Sequence, residues 1–384
     1  MAREGDQVID NAVVLVRDGK IEALGPAAST EIPVGYEVRD LGEQWLMPGM
    51  IDLHSHVGGG FGINDTVYPT NPELRVHCSV IPNNHFLRRA VAGGVTTVLY
   101  IPGSGSNSSG QGILLKTGLD RYEDAVVRDP GSLKVAQWGN PEGWTVGVGK
   151  SFENYTLRHM FEQGVAYARR MRAAREAGRE GERNIQWEVF SDLDQGRTQI
   201  CVHTQVYQVV LETCTMIKGE FDLPVYIDHG SLGGWQAGAI AQEMGVPAIL
   251  GPRTVDFPNE GMIRWLGLAP ERAQGSAAGY QALGHKQIGF NTDAPVMPEE
   301  ELFLQAANSM RYGFDGENME AVRGLTLVPA MTAGIDDRLG SLEPGKEADI
   351  LAITGDPADP RSSVECVFID GHEVYSTARE ARRF

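Results

Sequence analysis

The sequence is poor in cysteine, short of positive charge and without a long apolar run. Its 384 residues hold 4 cysteines, Cys78, Cys201, Cys214 and Cys366, too scattered for a disulfide framework or a CxxC metal site. They read as buried free thiols. Lys and Arg number 33 against 51 Asp and Glu, a formal net charge of −18. That balance repels a phosphate backbone and an anionic bilayer alike. Nucleic acid and membrane are therefore not expected as partners, and a small-molecule substrate is. No apolar run reaches the roughly 18 residues of a membrane span, and residues 1–8 lack the apolar core of a signal peptide. A cytoplasmic location is expected, or a periplasmic or secreted one if a leader has been removed. A homo-oligomer stays open.

What is present is a 42% hydrophobic chain long enough for a large barrel with an appendage. Both ends read as strands. Residues 12–16 and 21–24 flank Asp18-Gly19, a strong hairpin signal, and 349–353, 364–369 and 373–375 repeat the texture around Asp370-Gly371. Neither end has a helix to cover such strands, so 1–47 and 339–384 are expected to pair into one small β-sandwich. Between them, apolar runs at 46–57, 95–102, 111–116, 132–138, 199–203, 223–228, 246–250 and 286–291 alternate with helix-like stretches. Eight such strands predict an α/β fold, a (β/α)8 TIM-like barrel over 48–338, with an open doubly wound sheet as the alternative.

The chemistry concentrates in residues 47–57, MPGMIDLHSHV. Strand residues two apart share a face, so His54 and His56 project together with Asp52 one layer below. Two imidazoles near the C-terminal end of a barrel strand are well placed for a metal. Later strands end in His203, in His229 followed at once by Gly230, and in Asp293 before Pro295. Singly, each has a structural explanation: hydrogen-bonded core histidines, and a helix N-cap for Asp293. Together they form a converging set.

These motifs resemble the amidohydrolase superfamily, and within it imidazolonepropionases and metal-dependent dipeptidases. The resemblance is carried by MPGMIDLHSHVG at 47–58, AGGVTTVLYIPGS at 92–104, YIDHG at 226–230, FNTDAP at 290–295 and LGSLEPGKEADILAI at 339–353. It implies a metal-bearing barrel with a sandwich from both termini. By position His54 and His56 are the first-strand ligands, His203 and His229 the fifth- and sixth-strand histidines, and Asp293 the last-strand acid. The resemblance also implies a divalent metal, zinc by preference, as one ion or two. In two-metal members a carboxylated lysine bridges the ions. Lys134, in an apolar run before Gly139-Asn140-Pro141, is the preferred candidate over Lys116. A buried lysine would shed its proton and take up CO2 as a carbamate.

The expected activity is metal-dependent hydrolysis of an amide or cyclic amide, a non-ester C–N bond. Metal-activated water is the nucleophile, Asp293 the general base, and His203 or His229 steadies the tetrahedral intermediate. A Xaa-amino-acid dipeptidase or an aromatic-amine deaminase would use the same site. Against the deaminase, His229 is followed by Gly230-Ser231-Leu232-Gly233, with no His-x-x-Glu. A non-catalytic binding module on this fold would be expected to have lost ligand positions. All of them are filled here. Arg253, after Gly251-Pro252, is the candidate for a substrate carboxylate, with a solvated loop residue as the plain alternative.

Overall fold

The computed structural model describes residues 7–60, 62–137, 149–258, 267 and 270–383. The chain opens with a hairpin, β1 (Ala12–Arg17) and β2 (Lys20–Pro26). Asp18 and Gly19 both have positive φ, 50° and 77°, the backbone that a tight two-residue hairpin turn requires. β3 (Trp45–Pro48) then pairs antiparallel with β14 (Ile350–Ile353), which pairs with β15 (Val364–Ile369), and that with β16 (His372–Ser376). Leu24, Val14 and Val16 of the hairpin pack with Ile21, Ala348, Ile350 and Phe368. The hairpin and the four-stranded sheet thus form a two-layer unit drawn from both ends of the chain, as the sequence predicts.

From β3 the chain passes through Gly49 straight into β4 (Met50–Ser55). An eight-stranded sheet follows: β4, β5 (Val95–Tyr100), β6 (Ser108–Lys116), β7 (Val126–Ala136), β8 (Ile200–Thr204), β9 (Val225–His229), β10 (Ala248–Leu250) and, beyond a short ladder of β11 (Val255–Asp256) with β12 (Gln274–Gly275), β13 (Ile288–Phe290). The last strand returns to the first. Ser55 bridges Ala294, and the His56 amide donates to the Ala294 carbonyl at 2.8 Å. The sheet is a nearly closed barrel, and its strands fall on the eight apolar runs.

One strand departs from the predicted alternation. β6 runs antiparallel to both β5 and β7. The link at 101–107 is shorter than the dozen or so residues that a parallel crossover needs. Between β6 and β7 there is only the single turn Tyr122–Ala125. β6 therefore starts at the end of the barrel where its neighbours finish, and Lys116 lies at the opposite end.

Helices cover the outside, among them His85–Ala92, capped by Asn84 Oδ1 accepting from the Phe86 and Leu87 amides, and the long Lys150–Glu176. Inside, Leu53, Leu99, Leu114, Cys201, Tyr226 and Ile249 form one buried cluster, one residue from each of β4, β5, β6, β8, β9 and β10. Such side chains fill a small barrel. Cys201, Cys214 and Cys366 are buried free thiols as expected, whereas Cys78 is exposed. Among the described residues no helix is long and apolar enough to cross a membrane.

Candidate metal centre

The interior cluster fixes which side chains can reach the barrel mouth. Lys134 is in register with Cys201, and Cys201 with Tyr226. Two residues further on, His203 and Asp228 share the same interior face, again in register with each other. Strict alternation would send His229 to the outer face. Instead His229 has φ 76°, a left-handed backbone that is costly for a residue with a Cβ, and both Asp228 and His229 are fully buried. Asp293 is left-handed too, at φ 53°. Simple alternation also fails in β4. Its ladder with β5 is irregular between Asp52 and Ser55, and Leu53 lies in the interior cluster beside His54.

These departures bring the imidazoles together. His54 Nε2 is 3.1 Å from His56 Nε2 and 3.1 Å from Asp293 Oδ1, and His56 Nε2 is 3.4 Å from the same oxygen. His229 Nε2 lies 2.9 Å from His203 Nδ1, and the His54 and His229 rings are 4.7 Å apart. One ligand atom each of His54, His229 and Asp293 falls within 4.8 Å of the others.

The opposite ring nitrogens are tied down. His56 Nδ1 is 2.9 Å from the Ile101 carbonyl, and His229 Nδ1 is 2.7 Å from the Gly251 carbonyl. A carbonyl only accepts, so these nitrogens carry the protons and leave each Nε2 as a lone pair. Gly251 cannot be replaced easily. Its φ is 147°, and a Cβ would sit 2.2 Å from the Asn291 carbonyl oxygen. His54 Nδ1 is 2.7 Å from Asp228 Oδ2. At 3.1 Å, one of the facing His54 and His56 Nε2 atoms must carry a proton or both must face a cation.

The electrostatics agree. Burial pulls the His54 pKa down, but Asp228 and Asp293 outweigh it and raise it to about 9. In His229 burial dominates and lowers it to about 4, leaving a neutral imidazole, and His203 is driven well below its ordinary value for the same reason. Burial works against ionised Asp293 and Asp228, yet His54 beside both holds each carboxyl well below the usual range. Two carboxylates thus draw one positive charge among neutral imidazoles. The donor set, neutral N and anionic O, suits a borderline divalent ion such as zinc.

Lys134 is inside the barrel and fully buried. Its ammonium donates to Asp228 Oδ2 at 2.7 Å and lies 3.5 Å from Cys201 Sγ. Burial alone would lower its pKa and favour a carbamate, but Asp228 overcomes burial and the net shift is upward, against the expected loss of its proton. The Gly139-Asn140-Pro141 turn is outside the described residues. Lys116 is far from this cluster, paired with Glu347, Asp349 and Asp370. Arg253 is exposed on the segment between β10 and β11.

Three contributors lie outside the site residues that the sequence predicts. Ser104 Oγ sits 2.9 Å from His203 Nδ1. Asp52, placed by alternation below the histidines, accepts from the His54 amide at 2.8 Å and from Thr292 N and Oγ1 at 2.9 and 2.6 Å. It ties the first strand to the segment carrying Asp293. The third is Asp228, which the alternation rule hides by giving it the opposite face from His229.

A solved amidohydrolase from Thermotoga maritima MSB8 superposes with a TM-score of 0.81 at 31% identity, covering 94% of either chain. The chain belongs to the amidohydrolase superfamily. The model of the amidohydrolase family matches residues 274–374. The amidohydrolase tasK of Hapsidospora irregularis is 24% identical over 96% of this chain and 39% of its own length. An imidazolonepropionase of Agrobacterium fabrum is 34% identical over 15% of this chain and 14% of its own. The chain thus spans well under half the length of the curated relatives it matches. A prolidase solved with N-methylphosphonate-L-proline shares the amidohydrolase fold at 17% identity, with a TM-score of 0.56 over 94% of each chain.

Proposed function

We propose that the protein is a metal-dependent hydrolase that cleaves an amide or cyclic amide C–N bond. The observation that carries this reading is the convergence of the His54 and His56 Nε2 atoms on Asp293, with a ligand atom of His229 within 4.8 Å, two of the opposite nitrogens held by carbonyls and the third beside Asp228. His54, His56, His229 and Asp293 would hold the ion. A divalent ion there supplies Lewis acidity, which polarises a scissile carbonyl and makes water nucleophilic near neutral pH.

The remaining work falls to side chains. Asp293 is ionised and 84% shielded from solvent, so it can accept a proton from attacking water and return it to the leaving nitrogen. His203, neutral and braced by Ser104, is placed to hydrogen-bond an oxyanion. Arg253 is offered as the partner of a substrate carboxylate. Dipeptide hydrolysis is supported by the likeness to prolidase folds, and lactam hydrolysis by the imidazolonepropionase relative. The test is a screen of zinc-loaded protein against N-acyl amino acids, dipeptides, lactams and aryl amines. Turnover of the amides or lactams is the expected result, and turnover confined to aryl amines would replace the reading with a deaminase.

A second reading, with two ions, is favoured by the His203–His229 pair, whose facing nitrogens repeat the His54–His56 arrangement. It requires Lys134 to exchange Asp228 for CO2 and bridge as a carbamate.

A further inference from the structure

Asp228 has no solvent exposure, and donors meet both of its carboxylate oxygens. Oδ2 lies 2.7 Å from His54 Nδ1 and 2.7 Å from Lys134 Nζ, and accepts the Cys201 thiol at 3.2 Å. Oδ1 accepts from Asn291 Nδ2 at 3.2 Å. These partners come from β4, β7, β8 and the segment after β13. One carboxylate therefore ties together the strands that carry His54, Lys134, His203 and Asp293. Regular alternation puts Asp228 in the interior, and His229 joins it there because His229 takes the left-handed backbone.

From this we infer that Asp228 is a positioning residue for the metal centre: it keeps the His54 proton on Nδ1, so that Nε2 faces the ion, and uses Lys134 as its counter-charge. The inference rests on His54 being a ligand, as proposed above. A neutral imidazole has one proton, and the nitrogen facing a carboxylate keeps it. An ionised carboxylate in a barrel interior needs a cation of its own, or it would be stranded at high cost. Lys134 meets that need without any carbamate. A left-handed His229 is then more than local strain, because it allows a ligand and the residue that orients another ligand to be consecutive in sequence.

The test is Asp228→Asn, which keeps the shape and removes the charge. Zinc affinity is measured by competition with a chelator at fixed pH, beside the melting temperature and the ring-proton NMR spectrum of the zinc-loaded protein. The parent should show a far-downfield, slowly exchanging His54 Nδ1 proton. In Asp228→Asn that proton should move upfield, and zinc affinity should fall roughly 10- to 100-fold, the usual cost of losing such a partner. A purely structural role would lower the melting temperature and leave the ring proton and the affinity of the folded protein alone. If the stranded Lys134 prevents folding, the double variant Lys134→Met with Asp228→Asn removes both charges and should show the same loss. A parent that binds zinc and an Asp228→Asn variant that binds it within about threefold, set against that cost, would overturn the inference alone. A parent that binds no zinc would overturn the metal reading and the inference with it.

Discussion

Two lysines on neighbouring strands are both buried among acids, and they do different things. Lys116, at the end of β6, contacts Glu347 at 2.7 Å, Asp349 at 3.1 Å and Asp370 at 2.6 Å. No imidazole belongs to that cluster. Its three carboxylates are grouped closely enough to hold an ion, but the ammonium already supplies the positive charge. The pairing joins the barrel to the terminal sheet. Lys134, on β7, has Asp228 as its carboxylate, and Asp228 also contacts His54. Burial and negative charge are thus common to both places. Imidazole nitrogens converge at the Lys134 end, the end proposed above for the chemistry.

The largest difference between the two ends is expected at Asp293. Asp293→Asn should lower turnover of the best substrate by about 10²–10⁴, the usual cost of losing a general base, while part of the metal stays bound. The opposite-end control, Glu347→Gln, should leave turnover and metal content per folded chain unchanged. Steady-state rates with metal analysis decide it. Equal losses in the two variants would erase the distinction between the ends.

Next in size are the lysines themselves. Removing either partner of a buried pair costs about 3–5 kcal/mol, so Lys116→Met and Lys134→Met should both be strongly destabilised in urea. The sharper readout is metal. Lys134→Met should lose zinc affinity because Asp228 no longer holds its place, whereas folded Lys116→Met should bind zinc as the parent does.

A pH series gives a smaller and more specific effect. The His54 pKa is raised to about 9 in the metal-free fold, from 6.5. A raised pKa gives stability that is complete below 6.5 and is lost as pH climbs through about 9. Metal-free protein should therefore lose stability across that window. Zinc binding should release a proton there and tighten as pH rises. Urea melts of metal-free and zinc-loaded protein check both signs, and a metal-free protein that gains stability across the window would refute the charge assigned to His54.

The smallest expected effect is at Ser104. Ser104→Ala removes one hydrogen bond to His203, worth about 0.5–1.5 kcal/mol, and should slow turnover without releasing metal.

Much of this was legible in the chain because it is local. An apolar run that ends in His or Asp and then turns marks a strand end without knowledge of its neighbours, which is how His54, His56, His203, His229 and Asp293 stand out. Strand direction is not local. Nothing in the period of 111–116 says that β6 runs against its neighbours, so the sequence prefers Lys134 over Lys116 by the loop after it and not by the barrel end each occupies. Alternation also assumes regular backbone. It fails at Leu53–His54 and at Asp228–His229, where left-handed or irregular residues turn consecutive side chains inward. Asp228 was illegible for that reason, although it stands in the most conspicuous motif of the later strands.

The decisive measurement is metal analysis of protein purified without chelator, with His54→Ala and Glu347→Gln prepared alongside. At least one transition-metal ion per chain is expected in the parent and in Glu347→Gln, and none in His54→Ala. A parent without stoichiometric metal, or a Glu347→Gln variant that loses it as His54→Ala does, would contradict the assignment of the histidine end as the metal centre.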